Sequence, residues 1–381
     1  MSDVDSEEMQ LFRESVRRMV AREVAPIAAR IDEEDEFPRE ILDIFGDMGL
    51  LQILVPESYG GPGGTITMSC VAKEEVAKHS LALSGLVGGT SIGCVLPLLH
   101  YGTEAQRQRY LPEIAKGRTM TAVAITEPHT GSDVSGIRTT ARRDGDDYVI
   151  NGQKVFITGG DLATYVMVFA RTSEGKGHDG ISSILVPTAS KGFSVGRAPK
   201  KMGYNGVHSV ELFFDDLRVP AENLVGEEGR GFRHAMGILN LNRPTVAAAS
   251  VGLAQGALDA ALAYAKERVQ FGQPIASFQA VQLMLAEMEI QIQAGRALTY
   301  KVTQIADSGD MERLPMMASI AKTFCSDMAM KVTTDAVQVL GGHGYLRDHP
   351  VERHMRDAKL LQIYEGTNQI QRLTIARALT R

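Results

Sequence analysis

The chain has three cysteines in 381 residues, Cys70, Cys94 and Cys325. They are odd in number and far apart. That excludes a disulfide framework and any cysteine spacing suited to zinc, and it points to a reducing compartment. No block of basic residues stands out: 40 Lys and Arg face 46 Asp and Glu, for a net charge of -6. Such a balance leaves no electrostatic footprint for nucleic acid or an anionic membrane. The opening MSDVDSEEMQ is acidic and polar, unlike a signal or Arg-rich transit peptide, so a cytoplasmic location is expected. No G-x-G-x-x-G lies between a strand and a helix, and there is no P-loop, which disfavours nicotinamide and nucleoside-triphosphate enzymes of the usual kinds. His343, His349 and His354 are too loosely spaced to suggest a metal site.

Charge is also missing from 19 residues, LALSGLVGGTSIGCVLPLL at 81–99. The length suits a membrane span. Seven of these residues are Gly, Ser or Thr, however, and Pro97 interrupts them. The stretch reads as one or two buried helices with small residues leaving space alongside. Gly89-Thr90-Ser91-Ile92-Gly93 matches the spacing of a hydrolase nucleophile elbow, but that motif needs a preceding strand, and the flanks here read as helix.

What is present divides the chain into three. In residues 1–120, Leu11, Phe12, Val16, Met19 and Val20 recur at helical spacing, followed by Ile27 and Ile31. Thr103-Glu104-Ala105-Gln106 is a capping-box pattern opening another helix. In residues 121–230, short apolar runs alternate with turn signals, among them Asp144-Gly145 and Asn151-Gly152, the pairs that favour tight hairpins. This predicts an antiparallel β-barrel or sandwich. Residues 231–381 return to long helices: Val251, Ala254, Leu258, Ala261, Leu262 and Ala265 line one face. Segments 276–305, 312–340 and 350–380 follow, which predicts a four-helix bundle. The expected class is α+β, mainly α.

Several stretches carry candidate chemistry. Between Lys359 and Arg372 the only charged residue is Glu365, in QIYEGTNQI. A solvent-facing carboxylate at a helix end is the ordinary reading. A shielded carboxylate beside Gly366, where another group can approach the backbone, is the chemical one. The turn Thr126–Asp133 can hold phosphate or a heterocycle edge with backbone amides and hydroxyls, or be an ordinary turn. Gln338–Gly344 can do the same or serve as a helix C-cap. Arg268 suits a helix C-terminus, and equally a pyrophosphate.

Taken together, six motifs resemble the acyl-CoA dehydrogenase family over residues 8–378, in the family's order. They are AITEPHTGSD (124–133), NGQKVFITGG (151–160), FFDDLRVPAENLVG (213–226), ERVQFGQPIASFQ (267–279), QVLGGHGYLRDHPVERHMRDAK (338–359) and QIYEGTNQIQR (362–372). The pattern is similar to short- and medium-chain members, whose base lies in the YEGT motif. The resemblance implies a homotetramer with one FAD per subunit that desaturates an acyl-CoA thioester and passes electrons to an electron-transferring flavoprotein. It implies that Glu365 removes the α-proton, that the β-hydrogen leaves as hydride to the flavin, and that the Glu365 backbone amide holds the thioester oxygen. FAD contacts are implied for Val123, Ile125, Thr126, Gly131, Ser132, Phe156, Ile157, Thr158 and, within the YEGT segment, Thr367 and Gln369. Contacts to a neighbouring subunit's FAD are implied for Arg268, Gln270, Phe271, Phe278, Gln279, Gln338, Gly341 and Gly342. Substrate contacts are implied for Ser132, Asn240, Arg243, Tyr364 and Gly366, with Arg243 near the CoA phosphates.

The chain departs from the pattern in places. Phe156 stands where many members carry Trp, and His129-Thr130 replaces a small pair. Asn242 stands where some members place their base on another helix, which leaves Glu365 as the carboxylate. No Lys or Arg lies between Lys78 and Arg107, so dicarboxyl-CoA substrates are expected to be poor. Gly85, Gly88 and Gly89 suggest a roomy acyl floor, which favours medium or longer chains. Other functions fit less well. Oxygen-using oxidases are usually longer chains, and monooxygenase relatives often lack the Glu. A silent acyl-CoA scaffold would have lost the base. Hydrolysis through Ser91 lacks its turn.

Overall fold

In the computed structural model, which describes residues 4, 6–173 and 177–380, helices occupy both ends of the chain and strands the middle. The first helix, α1 (Glu7–Met19), starts at Ser6, whose hydroxyl accepts from the Met9 amide at 3.3 Å. Its buried face is Met9, Val16 and Met19; Leu11, expected there, is 60% exposed, because Met9 rather than Leu11 keeps the i, i+7 spacing to Val16. Then come α2 (Ala28–Glu34), α3 (Glu40–Asp47), α4 (Ile66–Ala77), α5 (Leu81–Ser84), α6 (Leu96–Tyr101) and α7 (Glu104–Ile114). The capping box at Thr103 is formed in both directions. The uncharged stretch becomes α5, a series of turns, a π-helical turn Ser91–Val95 and α6, most of it buried. Ser91 follows a turn, not a strand, so no nucleophile elbow forms.

The strands are β1 (Thr121–Ala124), β2 (Thr140–Asp144), β3 (Asp147–Thr158), β4 (Tyr165–Arg171), β5 (Ile181–Pro187), β6 (Phe193–Val195), β7 (Ser209–Pro220) and β8 (Leu224–Val225). They form one sheet in the order β6-β7-β3-β2-β4-β5-β8, with β1 beside β4. The expectation of an antiparallel unit holds for most pairs. It fails for β1, which runs parallel to β4, and for the single parallel bridge between Thr140 and Arg171. The chain between β1 and β4 is long enough for the crossover a parallel pair needs. Asp144-Gly145 makes the β2–β3 hairpin, with Gly145 at φ 61°. Asn151-Gly152 makes no turn. It lies inside β3 at a bulge, where a Cβ on Gly152 would come 2.5 Å from the Thr139 hydroxyl. Asn151 instead exchanges two hydrogen bonds with Asp216, at 3.0 and 2.9 Å.

The C-terminal helices are α8 (Gly231–Glu267), α9 (Gln279–Asp307), α10 (Leu314–Leu340), α11 (Pro350–Leu361) and α12 (Asn368–Leu379). Among the described residues α8 is the one helix long and apolar enough to cross a membrane, and most of it is buried by its neighbours. Glycine lets α4 cross it in backbone contact: a Cβ on Gly252 would sit 2.1 Å from the Glu74 carbonyl oxygen. Leu262, expected on the buried face of α8, is 36% exposed. Asp307, closing α9, caps α4 by accepting from the amides of Ile66 and Thr67 at 2.8 and 3.1 Å. The segment expected as one helix over 350–380 is broken at 362–367, and Glu365 sits in the break.

Candidate active site

Two successive residues with positive φ, Glu365 at 54° and Gly366 at 90°, reverse the chain between α11 and α12. Glycine is required at the second: a Cβ there would lie 2.3 Å from Gln371 Nε2. Side-chain donors grip the carbonyls of this turn. Arg243 Nε donates to the Glu365 oxygen at 3.2 Å, Gln371 Nε2 to the Gly366 oxygen at 3.0 Å, and Lys322 Nζ to the same oxygen at 3.0 Å. Thr367 closes the turn by accepting from the Ile370 amide at 3.3 Å, and Asn368 is buried against Ser326 and Asp327. Among the described residues none accepts from the Glu365 N–H, which stays available to a ligand.

The Glu365 residue is half-buried, but the tip of its carboxylate is shut away from solvent. Oε1 accepts from Asn242 Nδ2 at 2.5 Å. Oε2 is buried without a partner. Burial raises the carboxyl pKa above its ordinary value, against the opposing pull of Lys73, Arg243, the Asn242 hydrogen bond and Lys322. The cations answer in kind. Burial lowers Lys73 and Arg243, partly offset by Glu365, and brings Lys322 down to about 8. Two phenols complete the surroundings: burial raises both Tyr204 and Tyr364, and Glu365 adds to each. A desolvated carboxylate with one free oxygen, a neighbouring unused amide and a cationic backing is equipped to take a proton from a carbon acid held beside it.

A second surface belongs to the β domain. Phe156 sits at the bulge of β3 with φ 58° and is 69% exposed. A large aromatic held out to solvent on a strained backbone is placed where a ligand can cover it. Thr158 next to it is exposed, with its hydroxyl 3.3 Å from Ser209 Oγ, while the Ile157 side chain lies in the sheet core and leaves only its backbone for contact. Val123, Ile125 and Thr126 are partly buried, and Gly131 and Ser132 are open to solvent. A buried ion pair fixes their turn. Glu127 accepts from the amides of Arg138 and Thr139 and from Lys154 Nζ at 2.8 Å, and Lys154 also donates to the Ile125 oxygen.

The remaining predicted residues lie elsewhere. Arg268, Gln270, Phe271 and Gln279 are exposed just beyond α8, where Phe271 (93% exposed, φ 51°) tips a two-residue ribbon and packs edge-on against Phe278. Gln338, Gly341 and Gly342 are exposed at the end of α10, and the two groups meet where Tyr264 packs on His343. At 1.5 Å per residue, Lys322 and Gln338 are about 24 Å apart along α10, and Arg243 and Glu267 about 36 Å apart along α8. These residues therefore do not join Glu365 within one subunit. Asn240 and Arg243, expected at the CoA moiety, are buried and bonded to each other. A buried guanidinium must spend its donors internally, and Arg243 spends them on Asn240 and the turn. Gln369 is exposed and Tyr364 half-buried. Sequence reasoning missed Lys73, Lys322 and Gln371. Each is an ordinary polar residue in a helix, and only the fold turns it toward Glu365. Asn242 carried a signal, since it was singled out for lacking a carboxylate.

A helical–β–helical subunit with a desolvated carboxylate in a glycine turn and an exposed aromatic on a strand bulge defines a class of oxidoreductase acting on acyl thioesters. The chain belongs to the acyl-CoA dehydrogenase family. Its N-terminal, middle and C-terminal domain models match residues 6–118, 122–217 and 229–380. The chain is 47% identical to the cyclohex-1-ene-1-carbonyl-CoA dehydrogenase of Syntrophus aciditrophicus over 98% of this chain and 90% of that one. The solved butyryl-CoA dehydrogenase of Megasphaera elsdenii matches with TM-score 0.96 and 39% identity, covering 100% of both chains. A chain from the structure of the electron transferring flavoprotein of Acidaminococcus fermentans, described in connection with flavin-based electron bifurcation, matches with TM-score 0.96 and 41% identity, again over 100% of both.

Proposed function

We propose that this chain is an FAD-dependent acyl-CoA α,β-dehydrogenase in which Glu365 is the base. The observation that carries the reading is the Glu365 carboxylate itself: buried tip, one oxygen bonded, the other free. Glu365 Oε2 removes the α-proton of the thioester. The Glu365 N–H donates to the thioester oxygen, stabilises the charge that develops there and so acidifies the α-carbon. Arg243, Gln371 and Lys322 hold that amide in place through the turn's carbonyls. The residues present fit a flavin: Phe156 offers an uncovered ring, Thr158 a hydroxyl, and the Thr126–Ser132 turn its backbone and hydroxyls. Val123, Ile125, Ile157, Gly131, Gly366, Thr367 and Gln369 would border it. FAD, when bound, supplies the acceptor for the hydride that leaves Cβ. Arg268, Gln270, Phe271, Phe278, Gln279, Gln338, Gly341 and Gly342 would serve the FAD of a second subunit in a homotetramer. An electron-transferring flavoprotein is the proposed acceptor, a reading supported by the Acidaminococcus match.

The acyl group is proposed to be compact. The expected roominess at Gly85 is taken up by Tyr204, whose hydroxyl lies 1.9 Å from where a Gly85 Cβ would stand. Gly88 and Gly89 are likewise closed in, by Ser91 and Ser69 and by Met120. Relatives named for cyclohexene-carbonyl and butyryl thioesters fit this size. The test is anaerobic titration of the yellow protein with acyl-CoAs of different length, branching and ring content, beside Glu365→Gln. Bleaching by compact substrates in the parent, and none in the variant, is expected. A variant that bleaches at the parent rate would overturn the assignment of the base.

A further inference from the structure

Behind Glu365 runs a chain of hydrogen bonds that reaches α4. Lys73 Nζ donates to Thr245 Oγ1 at 3.1 Å, Thr245 Oγ1 donates to Asn242 Oδ1 at 3.2 Å, and Asn242 Nδ2 donates to Glu365 Oε1 at 2.5 Å. Thr245 and Asn242 are buried at 2% and 6% exposure. The direction of this chain is not free. An ammonium has three donors and no acceptor, so Thr245 must accept from Lys73 and turn its own proton elsewhere. The acceptor it meets is the Asn242 carbonyl oxygen. Once that oxygen is engaged, the amide can present only its NH2 to Glu365. Were the amide reversed, its carbonyl would face a carboxylate in a buried site, with a steep desolvation cost.

We propose that Lys73, acting through Thr245 and Asn242, is a positioning residue that fixes which Glu365 oxygen is the proton acceptor. The relay ties up Oε1 with a donor, favours the ionised carboxylate against burial, and leaves Oε2 aimed and unpaired. Nothing in the chain of bonds carries a proton onward, since a neutral carboxamide could pass one from Oδ1 to Nδ2 only through an unfavourable imidic acid. The relay orients and tunes. The other charged or titratable groups acting on Glu365 are Arg243 from α8, Lys322 from α10, Tyr204 from the segment before β7 and Tyr364 beside it. Arg243 and Lys322 reach the turn's carbonyls directly, so they are independent of the relay. Lys73 is distinct because its hydrogen-bonded route to Glu365 runs through two neutral side chains.

The proposal rests on Glu365 being the base, and its test is chosen to fail separately. The first readout needs no turnover. The protonated-carboxyl infrared band of Glu365, assigned by its loss in Glu365→Gln, is followed against pH in the parent, Lys73→Met, Thr245→Val and Thr245→Ser. Lys73→Met removes a cation and Thr245→Val removes the hydroxyl that joins it to Asn242, so the midpoint is expected to rise in both, by about one pH unit in Lys73→Met and by less in Thr245→Val. Thr245→Ser keeps the hydroxyl and should keep the parent midpoint. The second readout is the pH profile of substrate-dependent flavin bleaching, whose acidic limb should move by the same amount with KM little changed. A merely structural role would lower FAD content or melting temperature without moving either midpoint. A Thr245→Val midpoint equal to the parent's would overturn the relay, whether or not Lys73→Met shifts through the direct pull of its charge on Glu365, and even if Glu365→Gln proves inactive.

Discussion

At the scale of single residues, the proposed base Glu365 sets the expected pH behaviour. Burial raises its carboxyl above the ordinary range, and only the ionised form can take a proton. The rate of flavin bleaching should therefore climb with pH along a limb that lies above the normal titration of a glutamate; a limb at ordinary carboxylate pH would contradict the burial. Gly366 gives a second expectation. Alanine there must adopt φ 90° and displace Gln371 Nε2 from 2.3 Å. Gly366→Ala should cost about 1–3 kcal/mol of stability, read from chemical unfolding, and slow bleaching because the proposed base moves with the turn. Glu365 was legible in the sequence as a lone carboxylate beside glycine. Its surroundings were not: Lys73 and Lys322 stand in helices far along the chain, and no local pattern distinguishes an inward lysine from a solvated one.

At the scale of elements, two buried ionic joints hold the pieces that carry the site. Glu75 on α4 accepts from Arg13 and Arg17 of α1 and from Lys78. Burial alone would raise its pKa, but the bonds from Arg17, Lys78 and Arg13 outweigh that and bring it to about 2. Its folded pKa lies below its unfolded one. The stability it contributes, roughly 2–3 kcal/mol, is thus fully present above about pH 4.5 and is lost as pH falls toward about 2. Glu75→Gln should flatten the acid limb of a stability–pH curve over that window. Lys154 and Glu127 form the second joint, under the turn at 126–132. Lys154→Met leaves a buried carboxylate with its two amide donors but without its counter-cation, and should cost about 3 kcal/mol in unfolding experiments while weakening flavin uptake. The alternation of helix, strand and helix was legible from periodicity and turn residues. The bulge at Asn151-Gly152 was not, because the same pair that makes a hairpin also relieves a crowded strand, and only the neighbouring Thr139 decides between them. The break inside 350–380 escaped for a similar reason: Tyr364 and Thr367 are tolerated in a helix, and the positive φ at Glu365 is set by tertiary contacts.

For the whole molecule, the outward face of α9 shows Leu283 at 70% and Ile290 at 60% exposure, seven residues apart on one side, and Tyr345 and Phe271 are barer still. The homotetramer proposed here would cover such surface. Sedimentation should give a particle of four chains, and Leu283→Asp combined with Ile290→Asp should yield a smaller one with lower melting temperature. A monomeric parent would remove this reading.

The distance between Glu365 and the Arg268–Gln338 end of the bundle has a genetic consequence. If each reaction centre draws its carboxylate from one chain and its distal anchors from another, damage at the two ends is not equivalent to damage within one chain. A Glu365→Gln chain and an Arg268→Ala chain, each inactive alone, would rescue one another when co-expressed. Random pairing would restore up to about a quarter of the centres, because one of the two in every mixed pair inherits both intact halves. Two loss-of-function alleles of one gene would then complement, with a yield that counts shared sites directly.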